Sequence, residues 1–164
     1  MKNKFVVLMF IISLILLFNG CSKTEIKNVV KPFANIPVIS SQSIEFQNLT
    51  VTSKDRELGR KKTVTVEQDI QEIATYLMNI SGTDSNTKVK LSNCDFNIDL
   101  VNYTDNNKNY LYSIGITKKQ ICIIKYNNGI ATELDYKYQD TKVIEDLKKL
   151  YNKMKYSEVL LLSK

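Results

Sequence analysis

The chain contains no histidine among its 164 residues. This absence removes the common general base near neutral pH, and with it the Ser-His-Asp and Cys-His arrangements used in nucleophilic catalysis. It also removes the usual zinc sites and haem ligation by histidine. A general base in this protein would therefore have to be a carboxylate whose pKa is shifted by burial or by a second acidic group.

Arginine and glycine are also scarce. Arg56 and Arg60 are the only arginines, although lysine brings the formal charge of the chain to +6. Because dedicated nucleic-acid and phosphate sites favour the bidentate guanidinium group, this composition argues against nucleic acid as a partner. The 5 glycines are isolated, so the sequence has no glycine-rich phosphate loop. A lysine-rich surface suits anionic membranes and wall polymers, and it equally serves to keep a domain soluble.

Only 3 cysteines occur, at positions 21, 94 and 122. Cys94 and Cys122 fall on predicted strands that are separated by a third strand. Two strand spacings come to about 9.5 Å, which exceeds the ~7 Å limit for a disulfide. We therefore favour two free, buried thiols, and a bridge becomes feasible if the strands are not in sequential order.

The amino-terminal segment has the features of an export signal. Two lysines precede a 14-residue stretch without charges, which ends at Phe18 and is followed by Asn19, Gly20 and Cys21. The stretch is shorter than the roughly 20 residues that a membrane-spanning helix needs. This pattern resembles the signal peptide of a Gram-positive-type bacterial lipoprotein, from which Phe18 and Asn19 depart slightly.

The resemblance implies that Cys21 receives a diacylglyceryl group and anchors the protein to the extracytoplasmic face of the cell membrane. An uncleaved amino-terminal anchor is the alternative, and it implies the same location. Residues 1–20 would be the signal peptide, residues 21–38 a lipidated tether with both prolines, and residues 39–164 a single domain. Removal of residues 1–20 lowers the formal charge to +4, because the two leader lysines are its only charges.

The mature part has the pattern of an α+β domain. Alternation of apolar and polar residues predicts strands over 43–51, 63–65, 93–103, 110–117, 120–127 and 130–138, with a charged turn over 54–62. Asn128 and Gly129 form a strong hairpin signal between the last two strands. Together with two helices, this order predicts an antiparallel sheet of about five to six strands with both helices packed on one face.

Two segments have the apolar period of amphipathic helices. The first carries its apolar stripe from Val66 to Met78, with Thr65 and Gln68 at capping-box spacing. The second begins near Asp140, a candidate cap, and continues to Met154.

A further resemblance covers residues 38–154. It depends on the helix sequence EQDIQEIATYLMNI and on the sequence YQDTKVIEDLKKLYNK, which follows a tyrosine-rich hairpin. In this layout the chain resembles small lipoprotein domains from Gram-positive bacteria. That group has no assigned activity. The resemblance therefore implies a location and a fold, and it implies no catalytic or binding residues.

Acidic residues provide the sequence's main route to an enzymatic function. Asp95 and Asp99 share a predicted strand face, as do Glu133 and Asp135, so a small carboxylate-dependent hydrolase of the envelope is the alternative function. The loop at Asp105 begins like a calcium loop but lacks the glycine and the glutamate that such loops need, which favours a polar turn. The sequence predicts no metal site and no cofactor.

Tyrosines provide the main route to a binding function. Six lie in the strand-rich region: Tyr103, Tyr110, Tyr112, Tyr126, Tyr136 and Tyr138. Several of them would offer a flat, amphipathic contact surface if they shared a sheet face, although tyrosine is also an ordinary strand residue. We select Tyr110, Tyr112 and Tyr136 as the candidate binding residues. The sequence thus favours a non-catalytic binding or accessory module, with an immunity, inhibitory or sensing role towards an envelope protein or polymer.

Overall fold

The computed structural model describes residues 28–50, 57–105 and 107–162, so the predicted signal peptide and Cys21 lie outside the described residues. The two helices are α1 (Glu67–Asn79) and α2 (Val143–Lys153). The strands are β1 (Ser43–Asn48), β2 (Glu57–Val64), β3 (Thr83–Asp84), β4 (Phe96–Thr104), β5 (Asn107–Ile116), β6 (Gln120–Asn127), β7 (Ile130–Lys137) and β8 (Glu158–Leu162). No helix in this described part of the chain is long and apolar enough to cross a membrane.

All strands belong to one antiparallel sheet of 8 strands, in the order β3-β7-β6-β5-β4-β1-β2-β8. The α+β class is therefore confirmed, whereas the predicted size of five to six strands is wrong. The sequence pattern does not reveal β3, which has only two residues, or β8, whose apolar residues are consecutive and do not alternate. The prediction finds only the end of β2, within the strand over 63–65, because the preceding charged residues of β2 are typical of a turn.

The charges of β2 have a structural reason at the carboxyl end of α2. Lys62 is 6% exposed, and its ammonium donates hydrogen bonds to the main-chain oxygens of Tyr151 (2.9 Å) and Met154 (2.8 Å). The same ammonium lies 4.5 Å from the centroid of the Tyr151 ring. The last carbonyl groups of a helix lack partners within the helix and carry partial negative charge, so a buried lysine stabilises this end.

One face of the sheet packs against both helices and forms the main core. The central strands contribute buried aliphatic and aromatic side chains, including Ile44, Phe46, Phe96, Ile98, Leu100, Ile114, Ile116, Ile121 and Ile123. On the helices, Ile73, Leu77 and Leu147 are fully buried against them. The predicted stripe of α1 is therefore confirmed, except that Val66 precedes the helix and is exposed.

The start of α1 differs from the predicted capping box. Its N-cap residue is Val66, and no side chain of that residue caps the helix. Instead, the Tyr156 hydroxyl accepts a hydrogen bond from the Val66 N–H (3.2 Å) and donates one to Asp69 (2.6 Å). A tyrosine distant in sequence thus satisfies a helix-end amide, which local spacing does not predict.

Part of the predicted tether belongs to the folded body. Val30 forms an antiparallel bridge with Gly82, beside the edge strand β3, through two hydrogen bonds of 2.8 and 2.9 Å. Phe33 and Val38 are buried in the main core. The domain therefore begins before residue 39, because burial of these two apolar side chains stabilises the fold although the segment, with its two prolines, resembles a linker.

Candidate functional site

The second face of the sheet, here called the open face, carries neither α1 nor α2. Residues 85–94, here called the crossing segment, pack on this face over strands β5, β6 and β7. Val89 and Cys94 of this segment join Cys122 and Ile124 in a second, smaller hydrophobic cluster. Cys94 and Cys122 are both free and buried, as predicted. The spacing argument behind that prediction is wrong, because Cys94 precedes β4 and packs in the same cluster as Cys122.

Two acidic side chains of β7 hold the crossing segment, and a glycine of β5 leaves room for it. Asp135 accepts a hydrogen bond from the Val89 N–H (3.2 Å), and Lys88 forms an ion pair of 3.0 Å with Glu133. Gly115 permits the close approach, since a Cβ there would lie 2.5 Å from the Cys94 sulfur. This part of the open face is therefore closed by protein contacts.

The remainder of the open face presents three exposed tyrosines, here called the tyrosine patch: Tyr103, Tyr110 and Tyr126. The ring centroids of Tyr110 and Tyr126 lie 6.4 Å apart, with the rings inclined at 55°. Lys108 is paired with Tyr103 across β4 and β5, and its ammonium lies 4.4 Å from the Tyr110 ring centroid and donates to the Tyr110 hydroxyl. The patch is thus a small aromatic surface with one ammonium group beside its rings.

Two nearly buried carboxylates lie beside the tyrosine patch. Glu45 and Asp99 stand directly opposite each other on β1 and β4 and are 6% and 7% exposed. Lys61 and Lys108 form ion pairs with Glu45 at 2.9 and 2.7 Å. Burial opposes the ionisation of Glu45, but the hydrogen bonds and charges of these two lysines outweigh it and lower the pKa of Glu45.

Asp99 is held by neutral groups instead of lysines. It accepts hydrogen bonds from the Ser113 hydroxyl and from the Gln47 amide (2.7 Å). Burial raises the pKa of Asp99 in spite of these bonds, and the neighbouring charge of Glu45 raises it further. Because the Tyr126 hydroxyl in turn donates to Ser113 (3.3 Å), a continuous polar network supports the tyrosine patch from β1 to β6.

The structure does not bring the three predicted binding tyrosines together. Tyr110 lies on the open face, while Tyr112 and Tyr136 are partly buried against the main core on the opposite face. A β-bulge explains the separation: Leu100 pairs with Tyr112, but the next residue of β4 pairs with Tyr110, so one residue of β5 is left over. An extra residue shifts the alternation, and Tyr110 and Tyr112 therefore face opposite sides.

Of the two predicted acidic pairs, one separates and the other lies together. Asp95 precedes β4 and lies four residues from Asp99, a distance of about 13 Å along a strand, so these two do not form a pair. Glu133 and Asp135 do lie together, and with Cys122 their ligand atoms are all within 4.8 Å of one another. Burial and the two carboxylates raise the pKa of Cys122 to about 12, so its thiol stays protonated, and the acids serve to hold the crossing segment.

Sequence reasoning missed Glu45 and Lys108 as members of the site. The alternation in β1 could have indicated Glu45, because it places this side chain on the sheet face opposite to that of the buried Ile44 and Phe46. It gives no information on the register of β1 and β4, which is what brings Glu45 to Asp99. Lys108 lies in a segment that reads as a polar turn, but it is part of β5.

A cleft of about 980 Å³ lies at the other end of the sheet, between the end of α1, the β5–β6 turn and the start of α2. The Tyr76 and Tyr138 hydroxyls donate to main-chain carbonyl groups there, and burial raises the pKa of both, that of Tyr76 to about 12. Asp140 and Asp146 each accept one hydrogen bond from α2 or its N-cap residue. These lining groups are thus engaged in contacts that stabilise the fold.

The fold and the site define an α+β protein with one helix-covered sheet face and one open face that bears a supported aromatic patch. Comparison with protein-family models, with curated proteins and with solved structures finds no match for this chain.

Proposed function

We propose that this protein is a non-catalytic binding module, anchored by lipid on Cys21 to the extracytoplasmic face of the membrane, which engages an envelope protein or polymer through the tyrosine patch. The observation that carries the proposal is the grouping of Tyr103, Tyr110 and Tyr126, exposed side by side on a sheet face that neither helix covers. Tyrosine is enriched in binding surfaces because its ring contributes apolar contact area and its hydroxyl contributes a hydrogen bond.

The polar network beneath the patch favours binding by limiting the entropy that a partner must remove. Lys108 is fixed by Glu45, and Tyr126 is fixed by Ser113, so ring and ammonium are positioned before a partner arrives. Preorganisation of this kind increases affinity by reducing the ordering cost of association. Glu45 and Asp99 offset the charges of Lys61 and Lys108, so the patch does not select its partner by strong charge.

One observation favours the alternative, a carboxylate-dependent hydrolase. Glu45 and Asp99 are adjacent, and their pKa values shift in opposite directions, as those of an acid and a base in an active site do. Against this, both side chains are nearly buried, and each of their four oxygens accepts a hydrogen bond from Lys61, Lys108, Ser113 or Gln47. This arrangement supports a structural role for the pair.

The patch is tested by photo-cross-linking in intact cells. A photoreactive residue at Tyr103 or Tyr126 should capture the partner, and a second substitution, Tyr110→Ser, should reduce the yield at least ~10-fold, as for a central contact residue. Leu134 is the matched control, because it is 50% exposed but points from β7 to the other face. Equal capture from Leu134 and Tyr126 would contradict the assignment of the open face.

The anchor and the absence of catalysis are tested separately. Cys21→Ala should abolish palmitate incorporation and release the protein from the membrane fraction, since stable anchoring requires the two acyl chains. Labelling at the wild-type level would refute the anchor. Asp99→Asn, at unchanged surface level, should leave partner capture intact, whereas complete loss of cellular function without loss of capture would support the hydrolase.

A further inference from the structure

We propose that one end of the sheet, the end with the β5–β6 turn, contacts the membrane surface. There Lys118, Lys119 and Lys137 bind anionic phospholipid headgroups. The tyrosine patch would then project away from the bilayer. This inference rests on the proposed lipid anchor at Cys21, and it adds an orientation and a second contact surface to that function.

The first argument is the length of chain between the anchor and the folded body. The described chain starts at Asn28 and joins the sheet at the bridge between Val30 and Gly82. Nine Cα-to-Cα steps lead from Cys21 to Val30, and they span at most about 32 Å when the chain is fully extended. Val30, where the chain joins the edge of the sheet at Gly82, is therefore held within about 32 Å of Cys21, whatever path the connecting residues take.

The second argument is the charge of the surface around this point. Gly82 lies against Lys137, and Lys137 pairs with Gln120 at the β5–β6 turn, so the chain enters the domain beside Lys119 and Lys118. All three lysine side chains are exposed, and none of them forms an ion pair with another described residue. Each lysine near an anionic leaflet contributes favourable electrostatic energy, which acts within about a Debye length of the surface.

Two acidic residues line the same cleft, and neither forms an ion pair with the three lysines. Asp140 and Asp146 line the α2 side of the same cleft, and each accepts a hydrogen bond from α2 or its N-cap residue. Val29, which is 72% exposed beside the lysines, adds an apolar side chain at the point where the chain leaves the domain. Ammonium groups with an exposed apolar neighbour match the boundary between headgroups and acyl chains.

The third argument is the position of the tyrosine patch at the opposite end of the strands. Tyr110 lies six residues before Ile116 on β5, which corresponds to about 20 Å along the strand. Tyr103 and Tyr126 lie near the ends of β4 and β6 on the same side of the molecule as Tyr110. An orientation with the lysines on the bilayer therefore presents the patch to partners outside the membrane.

The test is lysine footprinting of the full lipidated protein in vesicles. Protein in phosphatidylglycerol-rich vesicles and in pure phosphatidylcholine vesicles is treated with a water-soluble acylating reagent, and the rate at each lysine is measured by mass spectrometry. We expect acylation of Lys118, Lys119 and Lys137 to be about five-fold slower in the anionic vesicles. Lys125 and Lys155 are the internal controls, because they are exposed and lie away from this end; their rates should not change, and high salt should remove the protection.

The outcomes separate this inference from the function on which it rests. Protein that floats with the vesicles but shows equal rates at Lys118 and Lys125 refutes the orientation and leaves the anchor intact. Protein that does not float with vesicles refutes the anchor, and the orientation with it. Protection of these lysines by an added polyglycerol-phosphate chain, but not by anionic vesicles, identifies a wall polymer as the ligand and overturns the proposal.

A paired charge reversal gives a second readout. Lys118→Glu with Lys119→Glu should abolish the difference between the two kinds of vesicle at Lys137, while partner capture by the tyrosine patch is retained. Lys125→Glu with Lys155→Glu makes the same change in net charge and should leave the protection in place. Equal effects of the two double variants would refute a localised surface and indicate attraction by net charge alone.

Discussion

Glu45 and Asp99 face each other across β1 and β4, yet the pKa of Glu45 is lowered and that of Asp99 is raised. The difference follows from their partners. Two ammonium groups form ion pairs with Glu45 and outweigh its burial. Asp99 accepts hydrogen bonds from the neutral Ser113 and Gln47, and these, with the charge of Lys108, do not outweigh its burial and the neighbouring charge of Glu45. One carboxylate therefore stabilises the folded state when ionised, and the other when protonated.

The ion pairs of Glu45 predict a stability that depends on pH. Its pKa lies below the ordinary 4.5, so its contribution is fully present above pH 4.5 and is lost as pH falls through the folded-state pKa. Glu45→Gln should reduce the free energy of unfolding by about 1–3 kcal/mol at neutral pH. Urea unfolding across the acid range measures the effect, and the deficit should vanish in acid. A constant deficit at all pH values would show that packing, and not charge, is responsible.

The raised pKa of Asp99 predicts the opposite dependence. Its contribution is fully present below the ordinary value of 3.8 and is lost as pH rises through the folded-state pKa. Asp99→Asn should therefore change the free energy of unfolding by less than about 1 kcal/mol at neutral pH, since it removes a buried charge and keeps an acceptor for Ser113. The same urea series should show the wild type gaining stability over this variant as the solution becomes acidic. If the variant instead becomes less stable than the wild type as the pH rises towards neutral, the raised pKa of Asp99 is refuted.

The contact between Lys62 and α2 predicts a loss of stability when the ammonium group alone is removed. Lys62→Met keeps the aliphatic part of the side chain but leaves the main-chain oxygens of Tyr151 and Met154 without their donor. The free energy of unfolding should fall by about 1–3 kcal/mol. Lys153→Met is the control, because its ion pair with Glu72 is exposed and should contribute less than about 0.5 kcal/mol. Equal losses would show that the buried ammonium has no special role.

The crossing segment packs closely on Gly115 of β5. We therefore predict that a larger residue at position 115 displaces the segment. In Gly115→Ala the new methyl group would meet the sulfur of Cys94 and, at 2.7 Å, the side chain of Leu91. The segment must shift, at a cost of about 1–3 kcal/mol in unfolding free energy. Trypsin should then cleave faster after Lys88 and Lys90, which lie in the segment. Unchanged cleavage and stability would show that the segment is not packed on β5.

The sequence predicts the α+β class, the stripe of α1 and the central strands, because those features repeat with the local period of a helix or a strand. It does not predict the face of Tyr110. A bulge between Leu100 and Val101 reverses the alternation there, and bulges arise from the pairing of two strands, which neither strand sequence records alone. The short strand β3 and the charged part of β2, of which only the end falls in the predicted strand over 63–65, are missed for a related reason. Their contacts with β7 and β8, which are distant in the chain, cannot be read from their own residues.

The sequence by itself determined that these residues offer no imidazole as a base or as a metal ligand, because none of them is histidine. It also determined the periodic apolar positions whose side chains form the core. Tertiary structure decided the candidate site. The strand register placed Glu45 against Asp99, the bulge turned Tyr110 towards Tyr126, and the bridge between Val30 and Gly82 fixed where the chain enters the domain. Register and entry point are set by contacts between residues far apart in the chain, and such contacts acquire their energy only when the whole sheet has formed.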